Sequence, residues 1–480
     1  MTRTAVLNVV GLTPRLIGEH TPQIRAFCEL SKTLRITPSL PAVTCTAQST
    51  YLTGTPPSGH GIVANGWYDR NLAEVQFWKQ SNHLVHGEKL WETLRRQDPS
   101  FTCAKLFWWY NMYSSADWSI TPRPMYPADG RKFFDVYAWP YSLRTEVKAD
   151  LGEFPFPGFW GPIAGRSSPQ GAPDCATRWI ANSAQWVENR HRPTLSLVYL
   201  PHLDYNLQRY GPLAPVGSST EGRSTLDPRI HRDLREIDAI VGELLHFYQE
   251  RDVQPVIVSE YGITNVRTPI HLNRVFRERG WLVLKEELGL ELLDAGASRV
   301  FAVADHQIAH IYVNDPSLLA EVGETLAAIP GVASVLGSQE KNEAGLDHPR
   351  AGDWIAVSRE DAWFTYYYWL EDSRAPDFAR CVDIHRKPGY DPVELFTDPA
   401  LSPLALKTRI AWRLMRKKLG FRMLMDLIPL DAGLVGGSHG CRPASPLDWP
   451  MLAGPRSVDL PDSLETTAVR DALLRICGGR

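Results

Sequence analysis

The chain is 480 residues long and carries 51 basic against 54 acidic side chains, a formal net charge of −3. That length supports one elaborate α/β domain or two, and the near-even charge excludes global electrostatic attraction to nucleic acid. Seven cysteines without any C-x-x-C spacing exclude a disulfide frame or a zinc knuckle and read as reduced thiols of a cytoplasmic protein, and no apolar run approaches the roughly 18 residues of a membrane span.

The amino terminus, MTRTAVLNVVGLTPRL, turns polar too soon for a secretory signal. Val6 to Val10, apolar apart from Asn8, predicts a strand buried on both faces of a parallel sheet. Gly11 turns the chain out, and Thr21-Pro22 opens an amphipathic helix through Leu30. Residues 36–69, ITPSLPAVTCTAQSTYLTGTPPSGHGIVANGWYD, predict a short strand leaving a core through Leu40, a turn flanked by Pro38 and Pro41, and a hydroxyl-rich helix of about two turns that stops at Gly54. Thr44 sits just ahead of that helix, where unpaired N–H groups and the helix dipole favour an anion. Its hydroxyl is placed there to attack or hold a phosphoryl group. The alternative is that Thr44 or Thr46 is only an N-cap.

Glu88 to Arg96 predicts a helix and Cys103 to Trp108 a second buried strand. Residues 108–140, WWYNMYSSADWSITPRPMYPADGRKFFDVYAWP, and FPFPGFWGP from 154 are aromatic and Pro-rich without a helical period. They form either a cap insertion (108–165) walling the substrate side, with Trp108, Trp109 and Tyr110 against the substrate, or packing over a sheet edge. Pro173 to Asn189 predicts a helix and Leu195 to Leu200 a third buried strand. Asp227-Pro228 starts a helix along which Ile230, Leu234, Ile237, Val241, Leu244 and Tyr248 recur at helical spacing. Pro255 to Ser259 is the next strand. Between 298 and 358 the runs SRVFAVAD, AHIYV and DWIAVS, with a capped helix from Pro316 to Ile329, predict an α+β subdomain (298–370) carrying His306 and His310. Asp383, His385 and Arg386 form a polar group beside Gly and Pro, either a site-facing loop or an ordinary surface one. Residues 404–425 predict a helix bearing Lys407, Arg409, Arg413, Arg416, Lys417 and Lys418. A solvated face is the first reading of it, weak contact with an anionic membrane surface the second.

The segment PAVTCTAQSTYLTGTPPSGHGIVAN resembles the nucleophile segment of the alkaline phosphatase superfamily, in its type I nucleotide pyrophosphatase/phosphodiesterase branch. There a Thr before a helix is the nucleophile, an LTG or VTG closes the helix, a P-x-x-HGI follows, and an Asn steadies a phosphate oxygen. By position the resemblance makes Thr44 the nucleophile and Asn65 the phosphate-binding residue. PHLDYNLQRYGP is similar to the family's PDxxGHxxGP, Glu260-Tyr261-Gly262 stands where the family has Asp-His-Gly, and GGSHGCRP resembles the closing GSHG. The metal positions it implies are therefore Asp204, Gln208 in place of His, Glu260 in place of Asp, Tyr261 in place of His, and His439. The family's first-strand Asp-Gly appears as Val10-Gly11, so that ligand is missing, and Asn8 reads as a buried amide satisfied by backbone groups. His202, His306 and His385 are the imidazoles that remain to compensate.

The resemblance implies an α/β fold with a mostly parallel central sheet and helices on both faces, the whole chain 1–480 forming one such domain. It implies a metal-dependent phosphodiesterase or nucleotide pyrophosphatase acting on a phosphorylated small molecule through a Thr phospho-enzyme. With three protein ligands replaced by weaker or null donors, one tightly held divalent ion is expected, zinc, manganese or magnesium. Two other readings stand beside this: an impaired member that binds a phosphorylated ligand, and a scaffold in a biosynthetic complex whose aromatic cap contacts partners.

Overall fold

The computed structural model describes residues 1–128, 131–165, 176–214, 225–421 and 424–479. A nine-stranded sheet is built from β1 (Thr4–Val9), β2 (Lys32–Thr37), β3 (Cys103–Leu106), β4 (Trp118–Pro122), β5 (Val136–Trp139), β6 (Leu195–Leu200), β7 (Gln254–Val258), β8 (Met451–Gly454) and β9 (Ser463–Glu465). The order across the sheet is β9-β2-β8-β7-β1-β6-β3-β4-β5. β7, β1, β6, β3 and β4 run parallel to one another. β5 is antiparallel to β4, and β8 is antiparallel to both β2 and β7. Every residue of β1 and β6 is buried, Asn8 and Ser196 included, as runs so largely apolar require.

The helices used below are α1 (Pro22–Leu30), α2 (Thr44–Thr53), α3 (His202–Tyr210), α4 (His231–Gln249) and α5 (Pro403–Lys418). α1 and Ala176–His191 pack with α4, while α2 packs with Val469–Gly478, which in turn meets Leu90–Gln97, so helices cover both faces of the sheet. A second, antiparallel sheet in the order Val300–Asp305, Ile308–Val313, Trp354–Ser358, Val332–Leu336 carries the helix Leu319–Ala328. It has a hydrophobic core of its own, into which the aromatic run from Trp363 to Trp369 is packed.

Four expectations change in detail. The strand before α2 ends at Thr37 rather than reaching Leu40, because Pro38 and Pro41 have no N–H to give a ladder. The segment 108–140 is not all cap: β4 and β5 extend the main sheet at its edge, two strands too short to betray their period among so many prolines and aromatics. The helix expected over 404–425 stops at Lys418, since Gly420 takes a positive φ of 89° and turns the chain. The start of the helix expected from Pro173 lies outside the described residues; from Ala176 to His191 the chain is helical.

Gly262, just beyond β7, shows how tightly the site's framework is packed. A β-carbon there would lie 1.9 Å from the Asp448 carbonyl oxygen. Backbone must move to admit it, so Gly262→Ala is expected to cost about 3 kcal/mol, read as a fall in the thermal unfolding midpoint. A variant as stable as the parent would mean that the 260–262 backbone is not held against residue 448.

Candidate functional site

Thr44 is the first residue of α2, and the N-cap is Val43, whose side chain cannot cap. Neither threonine is therefore the N-cap: the Thr46 hydroxyl donates to the Ile62 carbonyl at 3.1 Å. Thr44 Oγ1 lies 3.0 Å from the Tyr261 hydroxyl, which donates to Asp204 Oδ1 at 3.2 Å. Because Tyr261 has one proton and gives it to Asp204, the Thr44 hydroxyl is the donor to Tyr261. One turn along α3, Gln208 Nε2 donates to Asp204 Oδ2 at 2.7 Å, and Gln208 Oε1 accepts from the Tyr390 hydroxyl at 2.8 Å. His439 Nδ1 donates to the Ala42 carbonyl at 2.7 Å, which turns Nε2 toward Asp204 Oδ1 at 3.9 Å. Its ring stacks on Tyr261 with centroids 3.7 Å apart.

Glu260 leaves β7 two residues after Val258, which lies opposite Asn8 in β1. The shared pleat brings both side chains to one face, and Asn8 donates to Glu260 at 2.5 Å. The reading of Asn8 as satisfied by backbone groups is thereby corrected: its partner is a carboxyl. Gln48, one turn after Thr44 in α2, donates to Glu260 at 2.5 Å and accepts from the Trp109 backbone N–H at 2.7 Å. Asn65 Oδ1 accepts from the Cys45 N–H at 3.0 Å, in the first turn of α2. The Asn65 backbone N–H and Nδ2 donate to Asp305 at 2.8 and 3.1 Å. Asp305 ends the first strand of the second sheet's first hairpin and His306 opens its turn with a φ of 61°. The His306 ring stacks on His439 and on Tyr390, each at 3.7 Å.

These groups are deeply buried: Thr44 is 4% exposed, Asp204 8% and Glu260 0%. Burial pushes the Glu260 carboxyl up to about 8 against the bonds from Gln48 and Asn8, and the Asp204 carboxyl up to about 7 against those from Tyr261 and Gln208. The site thus holds acids that exchange protons near neutrality, next to a hydroxyl at a helix start.

The structure brings Thr44, Asn65, Asp204, Gln208, Glu260, Tyr261 and His439 together, and leaves other expected residues apart. Trp108 is fully buried in the main core, so it presents no surface to a substrate. Trp109 and Tyr110 lie in a separate cluster with Cys45, Ile62 and Val63, behind α2. The Trp109 ring meets Trp78 at 4.7 Å, and Trp78 and Trp160 approach Tyr390 at 6.0 and 5.7 Å, which makes an aromatic wall. His202 turns away to α4, 3.6 Å from Asp233 and 3.3 Å from Glu236. His385 Nδ1 lies 3.3 Å from the Phe77 carbonyl, and His310 bonds the Val63 carbonyl and the Gly352 N–H. Gln48, Asp305 and Tyr390 were missed in the sequence. Gln48 alone carried a signal, its i+4 spacing from Thr44 on one helix face.

The wall has a buried lysine behind it. Lys105 in β3 donates to the Trp109 and Tyr110 carbonyls at 2.8 and 2.9 Å, and burial lowers its ammonium to about 7 from 10.5. Below pH 10.5 the unfolded chain protonates this lysine while the folded chain does not until about pH 7. Stability from Lys105 therefore rises with pH across that window and is lost as pH falls through it. Lys105→Met is expected to flatten this slope, so the difference between parent and variant in denaturant midpoint should change with pH between those limits. A constant difference would mean that Lys105 is charged in the folded chain.

A two-ion centre of the kind the resemblance implies needs several protein donors around each ion. Here the expected donors are bonded to one another, and among the described residues the group of three acid or imidazole donors gathered within 4.8 Å is His202, Asp233 and Glu236. The residues present do not fit a two-ion centre. Asp204 and His439 offer two donors, enough for one ion at most.

The chain matches the type I phosphodiesterase/nucleotide pyrophosphatase family over residues 4–391. Phosphonoacetate hydrolase from Sinorhizobium meliloti 1021, solved with phosphonoformate, superposes with a TM-score of 0.58 at 13% identity, covering 99% of this chain and 96% of that one. Murine ectonucleotide pyrophosphatase/phosphodiesterase 5, an inactive form with AMP, gives 0.54 at 12% identity, covering 100% and 95%. The human counterpart gives 0.55 at 13%, covering 99% and 95%. At such identities the likeness is one of fold. No curated relative matches the chain.

Proposed function

Because the chain belongs to the type I phosphodiesterase/nucleotide pyrophosphatase family, we propose that it hydrolyses a phosphorylated small molecule through Thr44, in a site where Tyr261 takes over part of the work of the replaced ligands. The observation that carries this reading is the chain of hydrogen bonds from Thr44 Oγ1 through Tyr261 to Asp204. Thr44 Oγ1 attacks phosphorus and the ester P–O bond breaks. The Thr44 proton passes to the Tyr261 oxygen as the Tyr261 proton passes to Asp204, whose carboxyl near 7 suits a general base. The leaving oxygen takes a proton from solvent, and water later cleaves the phospho-threonine.

The Asn65 Nδ2 proton not given to Asp305, and the first-turn N–H groups of α2 other than that of Cys45, which goes to Asn65 Oδ1, hold the non-bridging oxygens. A single divalent ion, zinc, manganese or magnesium, would sit at Asp204 and His439 and add positive charge beside the phosphoryl group. The aromatic wall of Trp78, Trp160 and Tyr390 replaces Trp108 as the surface for a planar or apolar leaving group. Asp305 and His306 enter the same site, which supports one domain with the second sheet as its subdomain. No helix among the described residues is long and apolar enough to cross a membrane. The six cysteines described are free thiols, which supports a reducing, cytoplasmic setting.

The second reading, a member that binds without turnover, is favoured by one observation: Thr44, Tyr261, Asp204 and Gln208 already satisfy one another and are buried. Chromogenic phosphodiesters and phosphomonoesters, assayed with and without each ion, decide between them. Turnover supports the hydrolase. Calorimetric binding of AMP or inorganic phosphate without turnover supports the binder, and neither result leaves the scaffold.

A further inference from the structure

The stretch from Ser402 to Met425 contains seven basic residues and no acidic one. It is also where apolar surface is left uncovered. Eight of the 24 large apolar side chains exposed among the described residues lie between Leu404 and Met425. Along α5, Leu404, Thr408, Ala411 and Met415 recur at i, i+4, i+7 and i+11 on the outward face, with Trp412 on one flank and Lys407 and Lys418 on the other. Leu404 is 74% exposed and Trp412 53%. A groove of about 570 Å³ runs between Leu404, Ala405, Thr408, Arg409 and Trp412. The inward side is anchored, since Arg409 and Arg413 pair with Asp426 at 2.9 and 2.8 Å.

A second patch of the same composition borders the same loop. Residues 125 and 133 pair backbone to backbone, and Met125, Tyr126, Phe133 and Phe134 are exposed. Lys132 lies over the Tyr126 and Phe134 rings. Burial and then the Asp383 carboxylate raise the Tyr126 phenol, which places this hairpin beside the 377–386 loop. On α5's side, the Ile428 N–H donates to the Arg380 carbonyl at 3.0 Å, two residues from the Asp426 anchor. The loop between the patches continues to Tyr390 in the site.

We propose that this face docks on an anionic lipid surface, with α5 lying in the headgroup plane. Leu404, Trp412 and Met415 enter the acyl boundary, while Lys407, Arg416 and Lys418 meet lipid phosphates. An apolar stripe with a Trp, flanked by cations of one sign, is the composition of an interfacial helix. Charge decides the occupant. A second copy would bring an equal positive charge against this one, whereas an anionic bilayer covers the apolar stripe and neutralises the cations together.

Co-sedimentation of the whole chain with vesicles tests it. Binding is expected to phosphatidylcholine mixed with phosphatidylglycerol and not to phosphatidylcholine alone, and to weaken as salt rises. Lys407→Glu with Lys418→Glu should lower the bound fraction at least roughly tenfold, and the same pair changed to Arg should keep it. Trp412→Ser should weaken binding at unchanged charge. All these positions face outward, and circular dichroism checks that the fold is kept. Thr44→Ala should bind vesicles as the parent does, which separates this inference from the hydrolase reading. Equal binding to neutral vesicles, binding to neither, or a Trp412-dependent dimer on size exclusion would overturn it.

Discussion

Thr44→Ala is expected to lower turnover of every phosphoester substrate by roughly 10³-fold or more while leaving the protein folded. Thr44 Oγ1 stands at the start of α2 with its proton committed to Tyr261, and no neighbouring hydroxyl shares that position. Thr46 cannot step in, since its hydroxyl is given to the Ile62 carbonyl. The structural cost is small because Thr44 caps nothing. One buried hydrogen bond is lost, worth about 1 kcal/mol, and Tyr261 keeps its bond to Asp204. Thr44→Ser should recover part of the rate, and a phosphorylated residue 44 trapped at short times would place the covalent step. An alanine variant as active as the parent would remove the covalent mechanism.

Extensively dialysed protein is expected to retain at most one divalent ion per chain by elemental analysis. Val10, Gln208 and Tyr261 stand where the family resemblance places an Asp and two His, so zinc loses both charge and imidazole nitrogen. Gln208 and Tyr261 do not merely fail to bind. Each donates a hydrogen bond to one Asp204 oxygen, and so competes with an ion for the carboxylate. The double change Gln208→His and Tyr261→His should release Asp204 and raise zinc affinity at least roughly tenfold, with metal content after dialysis rising accordingly. Two zinc ions surviving dialysis of the native chain would refute this account, and would mean that donors outside the family positions, His306 or the group of His202, Asp233 and Glu236, hold one of them.

What was legible in the sequence is what the backbone repeats. β1, β6 and β7 announced themselves as largely apolar runs, α2 by its Gly stop, α4 by its Asp-Pro start. That Thr44, Asp204, Glu260 and His439 meet in space was legible too, because short motifs at strand ends and helix starts fix both residue and backbone there. The remainder depends on contacts that no spacing encodes. Tyr390 reaches Gln208 across 182 positions, and Asp305 reaches Asn65 across 240. The direction of His202 was decided by Asp233 and Glu236 on a different helix. Trp108 and Trp109 are neighbours in sequence and part ways in space, one into the main core and one behind α2.

The position of β8 has a consequence for how the molecule is made. Its residues, 451 to 454, fill the slot between β2 and β7, strands translated at residues 32–37 and 254–258. Until that late segment emerges from the ribosome, β2 and β7 each present an open edge, and pairing over so long a separation is slow once it begins. The nascent chain therefore spends most of its synthesis with sticky strand borders, a period in which chaperones or low temperature should govern yield. His439 precedes β8 by only twelve positions, so the candidate site is completed with the architecture. A ribosome stalled short of Gly454 is expected to leave a fragment that aggregates rather than one that folds.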